Sequence, residues 1–454
     1  MNRYERQMRI PGWEQTRLAE AHVVLVGAGL LAGFIGWALA ALGVGRITIL
    51  DDHRLNETSL IFPGLQRAPG HAAAANLAYT LQTLNPTLTA HGLTFHLWYA
   101  EQLQTLPPAD CLIEATDDLQ AKEICLTYGQ QEGKPIILAS ATPWGGVLSV
   151  AEGQIPVSLD KHLLAQSRPQ GVIASQLIGG LAAAELRRLL LPLPADTPLA
   201  SPVHFHALAP QRLIPEPMPA PPPPTHTPLS CLIIGAGALG TQVALSLALQ
   251  GVPFLRLVDP DTVEESNLNR QLLFYEAVGQ PKATHLAQKL RQLAPGVYTE
   301  AIVDRVQKEH LAGIEVIFLC VDNFATRATV NTWAIQEHLP LINGGTGPFA
   351  GEVRVYQPGQ TACLECAQGI GQLAQAEKGQ RARCGEVTEA SIVTTNQIIA
   401  ALMVGEWISL CSLEQNHARP GVILYEAQAP ARLGVRPGLG ACRCEGLYPA
   451  RSQR

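Results

Sequence analysis

Arg270 and Lys282 are the side chains of this chain best suited to gripping a polyphosphate. Both follow a glycine-rich turn in which Gly235, Gly237 and Gly240 have GxGxxG spacing. Glycines so placed allow a tight turn and let the backbone approach a phosphate at a helix N-terminus. Asp259 closes the next apolar run, about twenty residues on, where a carboxylate can accept from ribose hydroxyls. Asp261, Asn267 and Gln271 share the same polar segment, although an acid beside a turn is often only a cap. A bare GxGxxG favours dinucleotide redox chemistry. The continuation favours ATP, because a dehydrogenase has little need of two cations there and a triphosphate does.

The cysteines form a second set. Cys363 and Cys366 make a CxxC, and Cys442 and Cys444 a CxC. With no export signal on the N-terminal run MNRYERQMRI, reduced thiols in metal or catalytic roles are expected over disulfides, and the location cytoplasmic. Cys384 follows a polar, basic segment, and Arg381 and Arg383 beside it favour the nucleophilic thiolate. Cys111, Cys125, Cys231, Cys320 and Cys411 lie in apolar runs and read as core. His417 and the other histidines have no ligand spacing.

The elements that must position these residues occur twice. Leu232-Ile233-Ile234 reads as a buried strand entering the glycine turn, and a helical run spans Ala244 to Gln250. Val23 to Gly29 repeats the strand and turn, and ITILDD (Asp51, Asp52) mirrors LRLVDPD. Cys111 to Asp118 mirrors Val316 to Asn323, and alanine-rich helices are expected over Ile173 to Leu191 and Ile392 to Leu410. The offset is about 205 residues, so a whole domain is duplicated rather than a short solenoid unit. The expected domains are 1–209 and 229–454, joined by a stiff linker over 210–228, where PEPMPAPPPPTHTP is dense in proline.

Composition sets outer limits. A chain of 454 residues has room for two or three domains, and 47% hydrophobic with 15% charged residues is globular rather than disordered. The net charge of −6 provides no basic footprint, which argues against nucleic acid and anionic membrane as partners. The longest apolar stretch, Ile35 to Val44, is too short to span a bilayer.

The copies differ where charge would meet a nucleotide. In the first, Ala32 replaces the third glycine, Ser59 and Phe62 stand for Asn267 and Arg270, and alanine near Ala73 or Ala74 stands for Lys282. Asp117 survives as the counterpart of Asp322. The first copy reads as a structural partner that has lost its phosphate grip.

The second copy resembles the adenylating domain of the ubiquitin-activating enzyme superfamily, the ThiF/MoeB-like fold. The family's glycine turn, DxD strand end, SNLxRQ run and GQxK lysine are here Gly235 to Gly240, Asp259 with Asp261, Ser266 to Gln271, and Gly279 to Lys282. Arg3-Tyr4-Glu5-Arg6-Gln7 resembles its N-terminal RYxRQ. The resemblance implies two tandem Rossmann-like α/β domains forming a pseudo-dimer within one chain, the first inactive, and it implies that Arg6 crosses to complete the site of the second. It implies adenylation of the C-terminal carboxylate of a ubiquitin-like, β-grasp protein, with Arg6, Arg270 and Lys282 neutralising phosphate charge and Asp322 holding Mg²⁺. Asn267 and Gln271 would donate neutral hydrogen bonds. It further implies a structural zinc on Cys363, Cys366, Cys442 and Cys444, the CxC being one residue short of the family pattern, and thioester or acyl-persulfide chemistry at Cys384. The fused pair in a short chain resembles bacterial activating enzymes of ubiquitin-like conjugation operons, some linked to antiviral (antiphage) defence, with a conjugating enzyme as second partner. The alternatives are a sulfur-carrier activator of the molybdopterin or thiamin type and a non-catalytic β-grasp-binding scaffold.

Overall fold

A computed structural model describes residues 3–55, 70–151, 171–194, 196–207, 209, 212, 229–384, 389–411 and 420–447, without the side chains of 380–384 and 420. Ser59, Phe62, Gly385, His417 and the proline-dense stretch from Pro215 to Pro228 lie outside the described residues.

Two sheets carry the chain. The first contains β1 (His22–Val26), β2 (Arg46–Leu50), β3 (Thr89–Leu93), β4 (Cys111–Glu114), β5 (Ile136–Ala141), β6 (Gly145–Ala151) and β7 (Val203–His206), in the order β3-β2-β1-β4-β5-β6-β7. The second contains β8 (Ser230–Ile234), β9 (Phe254–Val258), β10 (Tyr298–Ile302), β11 (Val316–Leu319), β12 (Leu341–Thr346), β13 (Ala350–Tyr356), β14 (Pro420–Glu426) and β15 (Leu433–Pro437), in the order β10-β9-β8-β11-β12-β13-β14-β15. In each sheet the strands up to β5 or β12 pair in parallel and the rest antiparallel. These are two Rossmann-like sheets. Central strands β1 and β8 are buried at every position, as parallel strands covered on both faces must be, and so read as unbroken apolar runs.

The late helices fall where the alanine-rich runs place them, at Val172–Leu190 and Val393–Cys411. The helix after the second glycine turn is longer than the sequence pattern suggests, covering Ala238–Leu249 with Gly237 as its N-cap. Gly240 therefore sits in its first turn, where a Cβ would stand 1.7 Å from Gly235 O. Only glycine lets this helix start so close to the strand. Ala32 holds the corresponding place in the helix Leu30–Leu42, so the first turn cannot close equally tightly.

The two halves meet through four helices that lack a polar stripe: Leu30–Leu42, Val172–Leu190, Ala238–Leu249 and Val393–Cys411. A helix apolar all round must be buried on all sides, and here the opposite half supplies the missing cover. Two ion pairs cross the boundary in the same manner. Arg212 Nε donates to Glu406 Oε1 at 2.7 Å, and Arg432 Nε to Glu185 Oε1 at 3.0 Å. Both arginines are buried and both have φ of 59°.

Candidate functional site

In each half the strand order reverses direction between β1 and β4, or β8 and β11, and crevices for ligands open at such switch points. In the second half the crevice has the glycine turn on one side and Asp322 on the other. Asp259 anchors the turn: its Oδ2 accepts from Ala236 N at 2.6 Å and its Oδ1 from Asp261 N at 2.8 Å. Burial raises the Asp259 pKa, and nearby Lys282 acts against this. Lys282 opens the helix Lys282–Leu293, with Nζ 2.9 Å from Asp261 Oδ2. Asp261 thus caps the turn and pairs the lysine at once.

Asn267 and Gln271 are buried in the loop leading to that lysine. Asn267 Oδ1 accepts from Glu264 N at 3.0 Å, closing the single turn Glu265–Asn267 and aiming the segment. Gln271 Nε2 is the nearest atom to where a Gly237 Cβ would stand, and its Oε1 is buried with no partner. An orphaned buried amide over a glycine turn fits a ligand in that turn.

Arg270 is the most constrained cation of the group. Its Nη1 donates to Ser266 O at 2.9 Å and to Asn269 Oδ1 at 2.8 Å, both neutral acceptors. Burial, and after it the charge of Arg6, pushes its pKa down to about 10. Arg6 comes from the first half, on the short helix Glu5–Met8 that packs against the turn Glu265–Asn267. Arg6 O accepts from Ser391 N at 3.4 Å, Arg6 Nη1 donates to Glu389 O at 3.4 Å, and Gln7 Oε1 accepts from Asn269 Nδ2 at 3.2 Å. The fold therefore brings Arg6 near Arg270, and Glu264 only partly offsets the resulting repulsion. Asp322 lies exposed at the opposite lip, just before Asn323, whose side chain caps the helix Phe324–Gln336.

The first half keeps the frame and lacks the lysine. Asp51 Oδ2 accepts from Ala28 N at 2.6 Å and Oδ1 from His53 N at 2.7 Å, matching Asp259. His53 stands where Asp261 stands, and Ala73, opening the helix Ala73–Leu84, stands where Lys282 does.

Cys363, Cys366, Cys442 and Cys444 converge, with all four Sγ atoms within 4.8 Å of one another. A tetrahedral zinc with bonds of about 2.3 Å implies sulfur–sulfur edges of about 3.8 Å. Cys366 Sγ lies 3.9 Å from Cys442 and 3.5 Å from Cys444, so the thiolate set fits zinc. The CxC works because Cys444 starts a new turn, Cys444–Leu447, which swings its sulfur back. Cys384 ends the helix Ile370–Cys384, and its side chain is outside the described residues. The segment read as merely polar and basic is helical, its alanine, lysine, glutamate, glutamine and arginine all being good helix formers. Glu377 on that helix accepts from Phe324 N at 2.8 Å, tying the helix to the lip that carries Asp322. Cys111, Cys125, Cys231 and Cys411 are buried, and Cys320 nearly so, as their apolar context predicts. No described helix is long and apolar enough to cross a membrane.

Sequence reading missed Arg327, Asn269, Glu377 and the pair Arg212–Glu406. Only Arg327 left a signal: it aligns with Lys122 at the repeat offset, a cation retained in both copies.

A ThiF family model matches residues 4–223 and again 226–436, and the chain belongs to the ThiF family. It is similar to the sulfur carrier protein ThiS adenylyltransferase of Escherichia coli (strain K12), at 39% identity over 141 residues, 30% of this chain and 56% of that protein. It is also similar to the NEDD8-activating enzyme E1 catalytic subunit of Arabidopsis thaliana, at 34% identity over 152 residues, 30% of this chain and 34% of that protein. The chain thus spans about half or less of the length of these relatives. The crystal structure of E. coli MccB with AMPCPP and selenomethionine MccA aligns over 47% of this chain and 65% of that one, at 23% identity and a TM-score of 0.40.

Proposed function

We propose that the chain is an ATP-dependent activating enzyme for a ubiquitin-like protein, working as an intramolecular pseudo-dimer with one competent site. A C-terminal carboxylate oxygen of the β-grasp partner bonds to the α-phosphorus of ATP, the bridge to the β-phosphate breaks, and pyrophosphate leaves. The reaction needs charge neutralised around phosphate more than it needs an acid or base. Arg270, Lys282 and Arg6 bind and orient the phosphates, Asp259 holds the ribose, and Gln271 donates to the anion. Asp322, at the open lip, would hold Mg²⁺, which supplies further neutralisation when bound. The Cys384 thiolate then attacks the acyl carbon, and AMP leaves with the acyl–oxygen electrons. The thioester passes to a conjugating enzyme, in a cytoplasmic system of the antiphage conjugation type.

The observation that carries this reading is the approach of Arg6 to Arg270 from opposite halves. Like charges brought together and only partly offset by Glu264 are stable chiefly around an anion. ATP–pyrophosphate exchange stimulated by a β-grasp protein tests it, and no exchange with any such protein overturns it. A second reading is favoured by the similarity to a ThiS adenylyltransferase: activation for sulfur transfer. A thioester on the wild type that disappears in Cys384→Ala supports conjugation; exchange with no thioester supports sulfur transfer.

A further inference from the structure

The crevice of the first half gathers metal-donor side chains at the corner where the second half places a lysine. His53 Nδ1 lies 3.0 Å from Asp51 Oδ1 and 3.1 Å from Asp52 Oδ1. One donor atom from each of the three residues lies within 4.8 Å of the other two. An octahedral ion with bonds of about 2.1 Å sets neighbouring donors about 3.0 Å apart, so this spacing fits one. The remaining carboxylate oxygens are held from outside. Asp51 Oδ2 accepts from Ala28 N at 2.6 Å, and Asp52 Oδ2 lies 2.8 Å from His96 Nδ1. Partners of that kind aim a ligand's other oxygen. Asp51 Oδ1 also accepts from His53 N at 2.7 Å, which fixes His53 beside it. The His53 side chain is 84% exposed, so an ion can enter from solvent.

The repeat shows that this corner takes a cation. In the second half Lys282 Nζ sits 2.9 Å from Asp261 Oδ2. In the first, His53 stands for Asp261, and Ala73, which brings no charge, stands for Lys282. Asp52 stands for Pro260. Asp51 N donates to Leu93 O and Asp259 N to Ile302 O, a register that makes His96 the counterpart of Arg305. A lysine and an arginine have thus given way to an alanine and an imidazole, while Asp52 and His53 add further donors. Asp51, Asp52 and Asp117 all act electrostatically on His53, so the field at the corner is negative. Carboxylates alone would suit Mg²⁺ or Ca²⁺; the imidazole moves the set toward a transition ion.

We propose that Asp51, Asp52 and His53 form a site for one divalent first-row transition ion such as Mn²⁺, with His96 orienting Asp52. The ion takes the place that the lysine ammonium holds in the second half, and through His96 it ties the end of β2 to the loop after β3. This site is distinct from the four-thiolate cluster and from Asp322, and it does not rest on the adenylation reading. The test titrates the full chain, without nucleotide, with Mn²⁺ alone and measures the unbound ion by electron paramagnetic resonance. Mn²⁺ prefers oxygen and nitrogen donors to thiolate, so the cysteines do not compete. One ion per chain is expected, bound at least about tenfold more weakly in His53→Ala and in Asp52→Asn, and about tenfold more weakly in His96→Ala. His53 and Asp52 are exposed, so their substitution leaves folding intact. No saturable binding overturns the inference. So does binding that survives both His53→Ala and Asp52→Asn, or that is lost in Asp322→Ala instead.

Discussion

Gln176 and Gln397 make the same hydrogen bond from opposite halves. Gln176 Nε2 donates to Gln242 O at 3.3 Å, and Gln397 Nε2 to Phe34 O at 3.3 Å, so each late helix clasps the glycine-turn helix of the other half. They also touch each other, Gln397 Nε2 donating to Gln176 O at 3.0 Å. The contact relates the halves by a local two-fold.

Arg6→Ala should weaken Mg·ATP binding about ten- to hundredfold, the worth of a charge-assisted hydrogen bond to phosphate. Calorimetry on the full chain measures it. An unchanged dissociation constant would remove Arg6 from the site.

Arg270→Met should abolish ATP binding yet raise unfolding stability by about 1–3 kcal/mol, because the desolvation of this buried cation outweighs the partial offset from Glu264. The sign of its pH dependence follows from a folded pKa lowered to about 10. Above that pH the folded state releases the proton before the unfolded chain does, so this group's contribution to stability rises with pH while ATP affinity falls. A denaturant series with titrations from pH 8 to 11 measures both trends; affinity flat across that range contradicts the role.

Asp259 and Asp51 hold their turns by matched bonds, but only Asp259 shares its half with Arg270 and Lys282, the residues proposed to bind phosphate. Asp259→Ala should weaken ATP at least about tenfold, and Asp51→Ala should leave it within twofold, with one nucleotide bound per chain. Two nucleotides per chain in equilibrium dialysis would show the first half to be competent.

The four-thiolate cluster should carry one zinc per chain by elemental analysis. Cys444→Ser should lower that occupancy and reduce stability by several kcal/mol, since metal binding energy here is folding energy. Full stability in a zinc-free protein would exclude a structural ion.

Arg212→Met leaves Glu406 buried and alone, with an expected loss of about 3–5 kcal/mol. Adding Glu406→Leu should recover most of it. Additive losses in the double-variant cycle would mean that the pair does not couple the halves.

Much of the fold is legible because the repeat prints the same pattern twice. Apolar runs ending in Asp51 and Asp259, and the paired alanine-rich helices, each support the other copy's assignment. The late helix of each half was visible as uniformly apolar, but what covers it was not, since that depends on the opposite half. Glu377 and Asn269 were unreadable for a similar reason: their partners, Phe324 N and Gln7, are remote in the chain and share no spacing with them. The helix ending at Cys384 was missed because its charged residues show no apolar stripe to give it a period.

By itself, the sequence determined which half carries Lys282 and the third glycine, because their loss in the first copy is a change of residue type, and chemistry follows type. It also determined the glycine turn and the thiolate set, since local spacing dictates those. Tertiary structure alone decided that Arg6 comes near Arg270, that a CxC closes a four-sulfur cluster, and that Arg212 pairs with Glu406 across the halves. Each depends on distance and burial between segments far apart in the chain, and charge has its effect only once those are set.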